Sequence, residues 1–153
     1  MRTHLLIATL AVTLFGCASE RAQRPAVLSE QCDQLYQTYV DSGEEDARRS
    51  LQQVVQLIET AALRPEATAH GLWLGYGRLF VLEERAGRLD AAQAALTKAR
   101  YWCLRKAELS GDSSSEAVAY LERFASKDGL MTFVDKWDKD HTGGRGARYF
   151  QKQ

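Results

Sequence analysis

Apolar residues in this chain recur at the three-and-four spacing of a helix face, and residues 18–153 hold no sustained alternation in steps of two. Cys32, Leu35, Tyr36, Tyr39 and Val40 predict a first helix from Ser29, its N-cap, to Val40, ended by Asp41-Ser42-Gly43. Ser42 and Glu45 have the spacing of a capping box for a second helix. Its stripe is Ala47, Leu51, Val54, Val55, Ile58, Ala61 and Ala62. Arg64-Pro65-Glu66 restarts the chain with proline at the first helical position, where its missing N–H costs nothing.

The third segment, about 66 to 86, is apolar nearly all round from Gly71 to Leu82, which predicts a central helix covered by its neighbours. Gly71, Gly75 and Gly77 each cost about 1 kcal/mol against alanine inside a helix. The four-spaced pair Gly71 and Gly75 implies that another helix comes close. Ala86-Gly87 ends this element with a left-handed stop. A fourth helix follows from Leu89 to Leu109, with Leu89, Ala92, Leu96, Ala99, Cys103 and Ala107 on one face. Beyond the loop Ser110-Gly111-Asp112, Ser113 and Glu116 have the spacing of a second capping box. The fifth helix they open bears Ala117, Tyr120, Leu121 and Phe124. A short helix from Leu130 to Trp137 precedes a polar, glycine-rich tail, 138–153.

Composition supports the pattern. Pro25 and Pro65 are the two prolines, and the long stretches are filled by Ala, Leu, Glu, Gln, Arg and Lys, all strong helix formers. The reading is an all-α protein of about five to six helices. They form antiparallel hairpins stacked as an array or closed as a compact bundle. Twenty basic residues balance twenty acidic ones with no basic block, which argues against a nucleic-acid footprint or a polybasic membrane patch.

The front of the chain is of another kind. Arg2 and His4 precede a mostly apolar run, Leu5 to Phe15, and then Gly16-Cys17. A charged start, a short apolar core and a small residue before a cut site make a secretory leader. The run is too short to span a bilayer, which takes roughly 20 residues. Leu14-Phe15-Gly16-Cys17 resembles the lipobox of bacterial lipoproteins. That resemblance implies cleavage after Gly16 and lipid on Cys17. It divides the chain into a signal peptide 1–16, a lipidated tether 17–28, a helical domain 29–137 and the tail 138–153. No aspartate follows Cys17, which implies the outer membrane, facing the periplasm.

Gly87-Arg88-Leu89-Asp90-Ala91-Ala92, then Leu96 and Ala99, resembles the second half of a tetratricopeptide repeat. Upstream, Tyr76 and Leu79 fit that pattern, while Phe80 and Glu83 stand where glycine and tyrosine are expected. Tyr36, Gly43, Ala47 and Leu51 echo it more weakly, and Gly43 lies 44 residues before Gly87 rather than the usual 34 or so. The resemblance implies a lipid-anchored adapter for a protein partner, like the pilotins that escort secretin subunits or the scaffolds of envelope assembly. The alternative is a structural helical-bundle lipoprotein without a peptide groove.

Cys32 and Cys103 bear on that choice, because an oxidising compartment favours pairing two cysteines. A bond between them would constrain the unfolded chain by about 4 kcal/mol. Buried apolar thiols are the other reading. Little else suggests chemistry. His70 lies one turn after Glu66, the spacing of a surface ion pair. Asp138, Asp140 and His141 read as a solvated tail rather than a metal site, and Gly143-Gly144-Arg145-Gly146 lacks the Lys-Ser/Thr of a phosphate loop. No catalytic residue, metal or cofactor is expected. Trp73 is expected in the core, and Tyr101 and Trp102 are the candidate partner contacts.

Overall fold

The computed structural model describes residues 12–111, 119 and 122–142, with side chains from 27 onward except at 137, 141 and 142. The described residues are helical apart from short connections and contain no strand. The helices are α1 (Val12–Asp41), α2 (Glu44–Thr60), α3 (Pro65–Arg85), α4 (Leu89–Ser110) and α5 (Lys127–Thr142). Residues 122–125 form a further helical turn just before α5. Helix α1 packs on α2, α2 on α3 and α3 on α4, and α5 returns to lie on α3. Helix α3 is therefore central, as its all-round apolar sequence requires: twelve of its residues are buried, from Ala69 to Glu83.

Helix boundaries depart from the sequence expectation where local signals compete with flanking propensity. Helix α1 does not start at Ser29; it is already formed at Val12, the first described residue, and runs through the stretch read as a tether. Pro25 removes one ladder bond there, but the Ala, Glu, Arg and Gln around it favour helix. Ser42 and Glu45 do not make a capping box. Gly43 is the N-cap without a side-chain bond, and the Ser42 hydroxyl turns to the Gly43 carbonyl, 3.4 Å away. Helix α2 stops at Thr60, leaving Ala62 exposed instead of on its stripe. At the other end of the chain, α5 continues past Trp137 to Thr142, so Asp138 is part of the packed domain. The capping pair Ser113 and Glu116, Ala117, Tyr120, Leu121 and the stretch 143–153 lie outside the described residues, as do residues 1–11.

The α3 glycines are sockets. A β-carbon on Gly71 would meet Ile58 Cδ1 at 2.9 Å, and one on Gly75 would meet Val55 Cγ2 at 2.7 Å, so the close neighbour is α2. Gly77 faces the other way, its absent β-carbon 3.1 Å from Leu130 Cδ1 on α5. The α3–α4 turn is closed by Gly87 at φ 73°, with its N–H donating to Glu84 O and that of Arg88 to Glu83 O. This is the Schellman arrangement that only a left-handed residue permits. Past the turn, Ala92, Ala95, Leu96, Ala99 and Cys103 bury α4 against α3.

Candidate functional site

Within the α3 apolar run stands one charged residue that needs a partner, Arg78, 6% exposed. Its Nε donates to Asp138 Oδ1 on α5 at 3.2 Å, and its guanidinium lies 4.9 Å from the Tyr36 ring centroid. Tyr36 also donates its hydroxyl to Oδ1, at 2.9 Å, and Tyr39 donates to Oδ2 at 2.7 Å. Asp138 is wholly buried, so α1, α3 and α5 meet on one carboxylate. Burial pushes both tyrosine hydroxyls well above their ordinary range, with Asp138 adding to the effect and Arg78 opposing it. Near neutral pH both therefore keep their protons and can donate them to the carboxylate. The same seam carries Arg85 Nη2 on Asp135, at 3.0 and 3.2 Å, and Lys127 on Glu84. Beside it Trp73 stacks on Phe133 at 5.0 Å, with Phe124 edge-on and Lys106 Nζ 4.8 Å from the ring centroid.

On the other side of α3 runs an open cleft of about 510 Å³ between α2 and α4. Val55 and Leu79 lie at its base, and Ala91, Ala94 and Ala95 of α4 line it. Across it Tyr76 donates to Glu59 Oε1 at 2.6 Å and accepts from Lys98 Nζ at 2.9 Å. Farther along α4, Tyr101 is 59% and Leu104 51% exposed, one turn apart, while Trp102 is half-buried against the core and edge-on to Tyr101 at 5.0 Å. Of the two candidate contacts, Tyr101 is therefore the one facing solvent.

The remaining expected residues are scattered. Trp73 is in the core at 2% exposure. His70 does not pair with Glu66; its ring meets Trp73 edge-on at 6.1 Å, and burial, then Lys106 and Arg78, lower its pKa. Cys32 and Cys103 are free thiols, the first half-buried and the second buried. Burial raises both, aided by Asp33 at Cys32, and pushes Cys103 up to about 11. Cys17 lies on the α1 backbone, and its side chain, like those of Trp137 and His141, is outside the described set. Among the described residues no three His, Cys, Asp or Glu gather as a metal site, and no helix is long and apolar enough to cross a membrane.

Sequence reasoning missed Asp138. Two signals pointed to it: an arginine inside an otherwise apolar helix, and the four-residue spacing Leu130, Val134, Asp138. Compared with protein-family models, curated proteins and solved structures, the chain matches none.

Proposed function

We propose that this chain is a lipid-anchored, periplasm-facing helical adapter that binds a protein partner in envelope assembly or secretion. The resemblance of Leu14-Phe15-Gly16-Cys17 to a lipobox supports the anchor, and the lack of an aspartate after Cys17 supports the outer membrane. The observation that carries the adapter role is the exposed pair Tyr101 and Leu104, on the same helix as the alanines of the cleft, while the other described tyrosine, tryptophan and phenylalanine rings are buried or half-buried. Aromatic side chains left in water on a rigid helix are the usual anchors of protein contacts. The burial of Ala92, Leu96 and Ala99 behind a left-handed Gly87 supports the tetratricopeptide-like reading of the α3–α4 hairpin.

The test is in-cell crosslinking of the full lipidated chain, purification through a C-terminal tag and mass spectrometry. A dominant secretin, pilus or outer-membrane assembly protein is expected, lost on Leu104→Asp. Recovery of only the chain itself and abundant lipoproteins would overturn the adapter reading.

A second reading, a structural bundle without a groove, is favoured by the Asp138 junction that closes α5 over α1 and α3. That reading further requires Cys32 and Cys103, unbonded in this structure, to pair in an oxidising compartment. A gel shift without reductant, abolished by Cys32→Ser, would support it.

A further inference from the structure

Helices α1 and α2 carry the same signature of four residues. Gln31, Gln34, Leu35 and Thr38 on α1 have the spacing of Gln53, Gln56, Leu57 and Thr60 on α2, and that pattern occurs nowhere else in the chain. Steps of three, four and seven residues set each group on one helix face. Only Ser42 and Gly43 separate the two helices, which pack on each other as an antiparallel hairpin, so the two stripes run in opposite directions. Together they line an open groove of about 570 Å³. The match extends to local bonding. Thr38 donates its hydroxyl to Gln34 O at 3.1 Å, and Thr60 donates its own to Gln56 O at 2.9 Å. The threonines are thus turned back on their helices, and the amides are what the groove offers.

No residue lining the groove is charged; its four glutamines are exposed and its two leucines half-buried. A side-chain amide presents a donor and an acceptor on one flat group, as a peptide unit does. Charge lies around the groove instead. From Val27 to Thr60 the chain holds seven carboxylates and two arginines, and Arg48 and Arg49 already pair with Glu45 and Asp46. On α1, Glu30 accepts from Gln34 at 3.5 Å and Asp41 accepts from Gln37, so carboxylates stand beside the amide row with uncharged partners. A second copy of the chain would set two hairpins of the same sign against each other, whereas a cationic occupant is drawn to one.

We propose that the α1–α2 groove binds an extended, lysine- or arginine-rich peptide segment of a partner protein. The backbone of that segment pairs with the amides of Gln31, Gln34, Gln53 and Gln56. The aliphatic stems of its cations lie on Leu35 and Leu57, and their heads reach Glu30 and Asp41, as long cationic side chains do wherever an apolar surface has a wet edge. The site is built without α4, so it stands whether or not Tyr101 and Leu104 meet a partner.

The test is fluorescence anisotropy of a fluorescein-labelled nine-residue peptide of alternating lysine and alanine, titrated with the full chain at low salt. Saturable binding is expected, at least tenfold tighter than that of the same peptide with glutamate for lysine. Gln34→Ala with Gln53→Ala, both exposed positions, is expected to weaken it at least fivefold while leaving the helical melt unchanged. Glu30→Gln with Asp41→Asn is expected to weaken it by a similar factor, as is methylation of the peptide's alanine backbone nitrogens. Absence of saturable binding would overturn the proposal. Binding that ignores the two glutamines would be mere attraction to an acidic hairpin, and would overturn it too. Binding that ignores backbone methylation, or that spermine abolishes at equal charge, would assign the groove to a polyamine instead of a peptide. Loss of binding on Tyr101→Ala would move the site to α4. None of these outcomes touches the adapter reading, which stands or falls on the partner recovered in cells.

Discussion

The point a β-carbon on Gly75 would occupy lies 2.7 Å from Val55 Cγ2, so α2 and α3 are in contact through a missing side chain. Valine is stiff about χ1 and cannot swing its methyl aside. Gly75→Ala gains about 0.5–1 kcal/mol of helix preference but overpacks the seam by about 1–3 kcal/mol. A net loss of about 1 kcal/mol is expected in urea denaturation. Val55→Ala in the same chain relieves the clash, so the double variant loses less than the two single changes added together. Simple additivity would contradict the contact.

Asp138→Ala strands Arg78 in the interior at 6% exposure. Removing one partner of a buried pair costs about 3–5 kcal/mol, a large share of a small domain's stability. The double change Arg78→Met with Asp138→Leu takes out both charges and is expected to recover most of that loss. Thermal or urea unfolding of the two variants separates a paired junction from mere packing.

Alkaline pH should loosen the same junction. In the unfolded chain the hydroxyls of Tyr36 and Tyr39 titrate near the ordinary value of 10.0, while in the folded chain both hold their protons to higher pH. Their contribution is thus fully present below about pH 10 and falls as pH rises past it, because only the unfolded chain releases protons there. Tyrosinate absorbance should rise together with loss of helix, and replacing both tyrosines by phenylalanine should flatten that slope.

The two thiols should differ in reactivity. Thiolate is the attacking form, and Cys103, buried and pushed up to about 11, holds almost none near neutral pH. Iodoacetamide is expected to label Cys32 first in the native protein and Cys103 only after denaturation. Failure to label either residue in denatured, unreduced protein would mean that they are bonded.

Tyr101→Ala and Leu104→Asp touch exposed positions and should change stability by no more than about 0.5 kcal/mol. The same changes should reduce partner recovery from cells. A variant that folds normally and still recovers the partner would move the contact elsewhere.

Much of the fold is legible in the chain because it rests on local rules. The all-round apolar run from Gly71 to Leu82 placed α3 at the centre, Gly71 and Gly75 announced a close neighbour, and Gly87 marked the turn. The failures are those of short signals. Ser42 and Glu45 have the right spacing for a cap, but Gly43 lies between Ser42 and the helix start and takes the position. Asp138 looked like a tail residue because its partners are far away in sequence, on α1 and α3. Only a three-dimensional arrangement makes a charge there affordable. Arg78 was the one residue that asked, from within its own helix, where its counter-charge lay.

Arg88 ties three helix ends together: its guanidinium meets Glu44 at 2.7 Å and Glu45 at 3.7 Å at the start of α2, and Glu83 near the end of α3, while its own backbone caps α4. Helices α2 and α4 therefore leave this clasp side by side, with α3 running back between them. At the opposite end α2 and α3 are joined by their short connection, 61–64, whereas α4 runs on to Ser110. The cleft is thus tied at one end by Arg88 and crossed again farther along by the bonds of Tyr76 to Glu59 and Lys98. Tyr101 and Leu104 sit beyond that crossing, on the half of α4 farthest from the Arg88 clasp. The clasp and the crossing together fix the spacing of α2 and α4 along the part of the cleft that the alanines line.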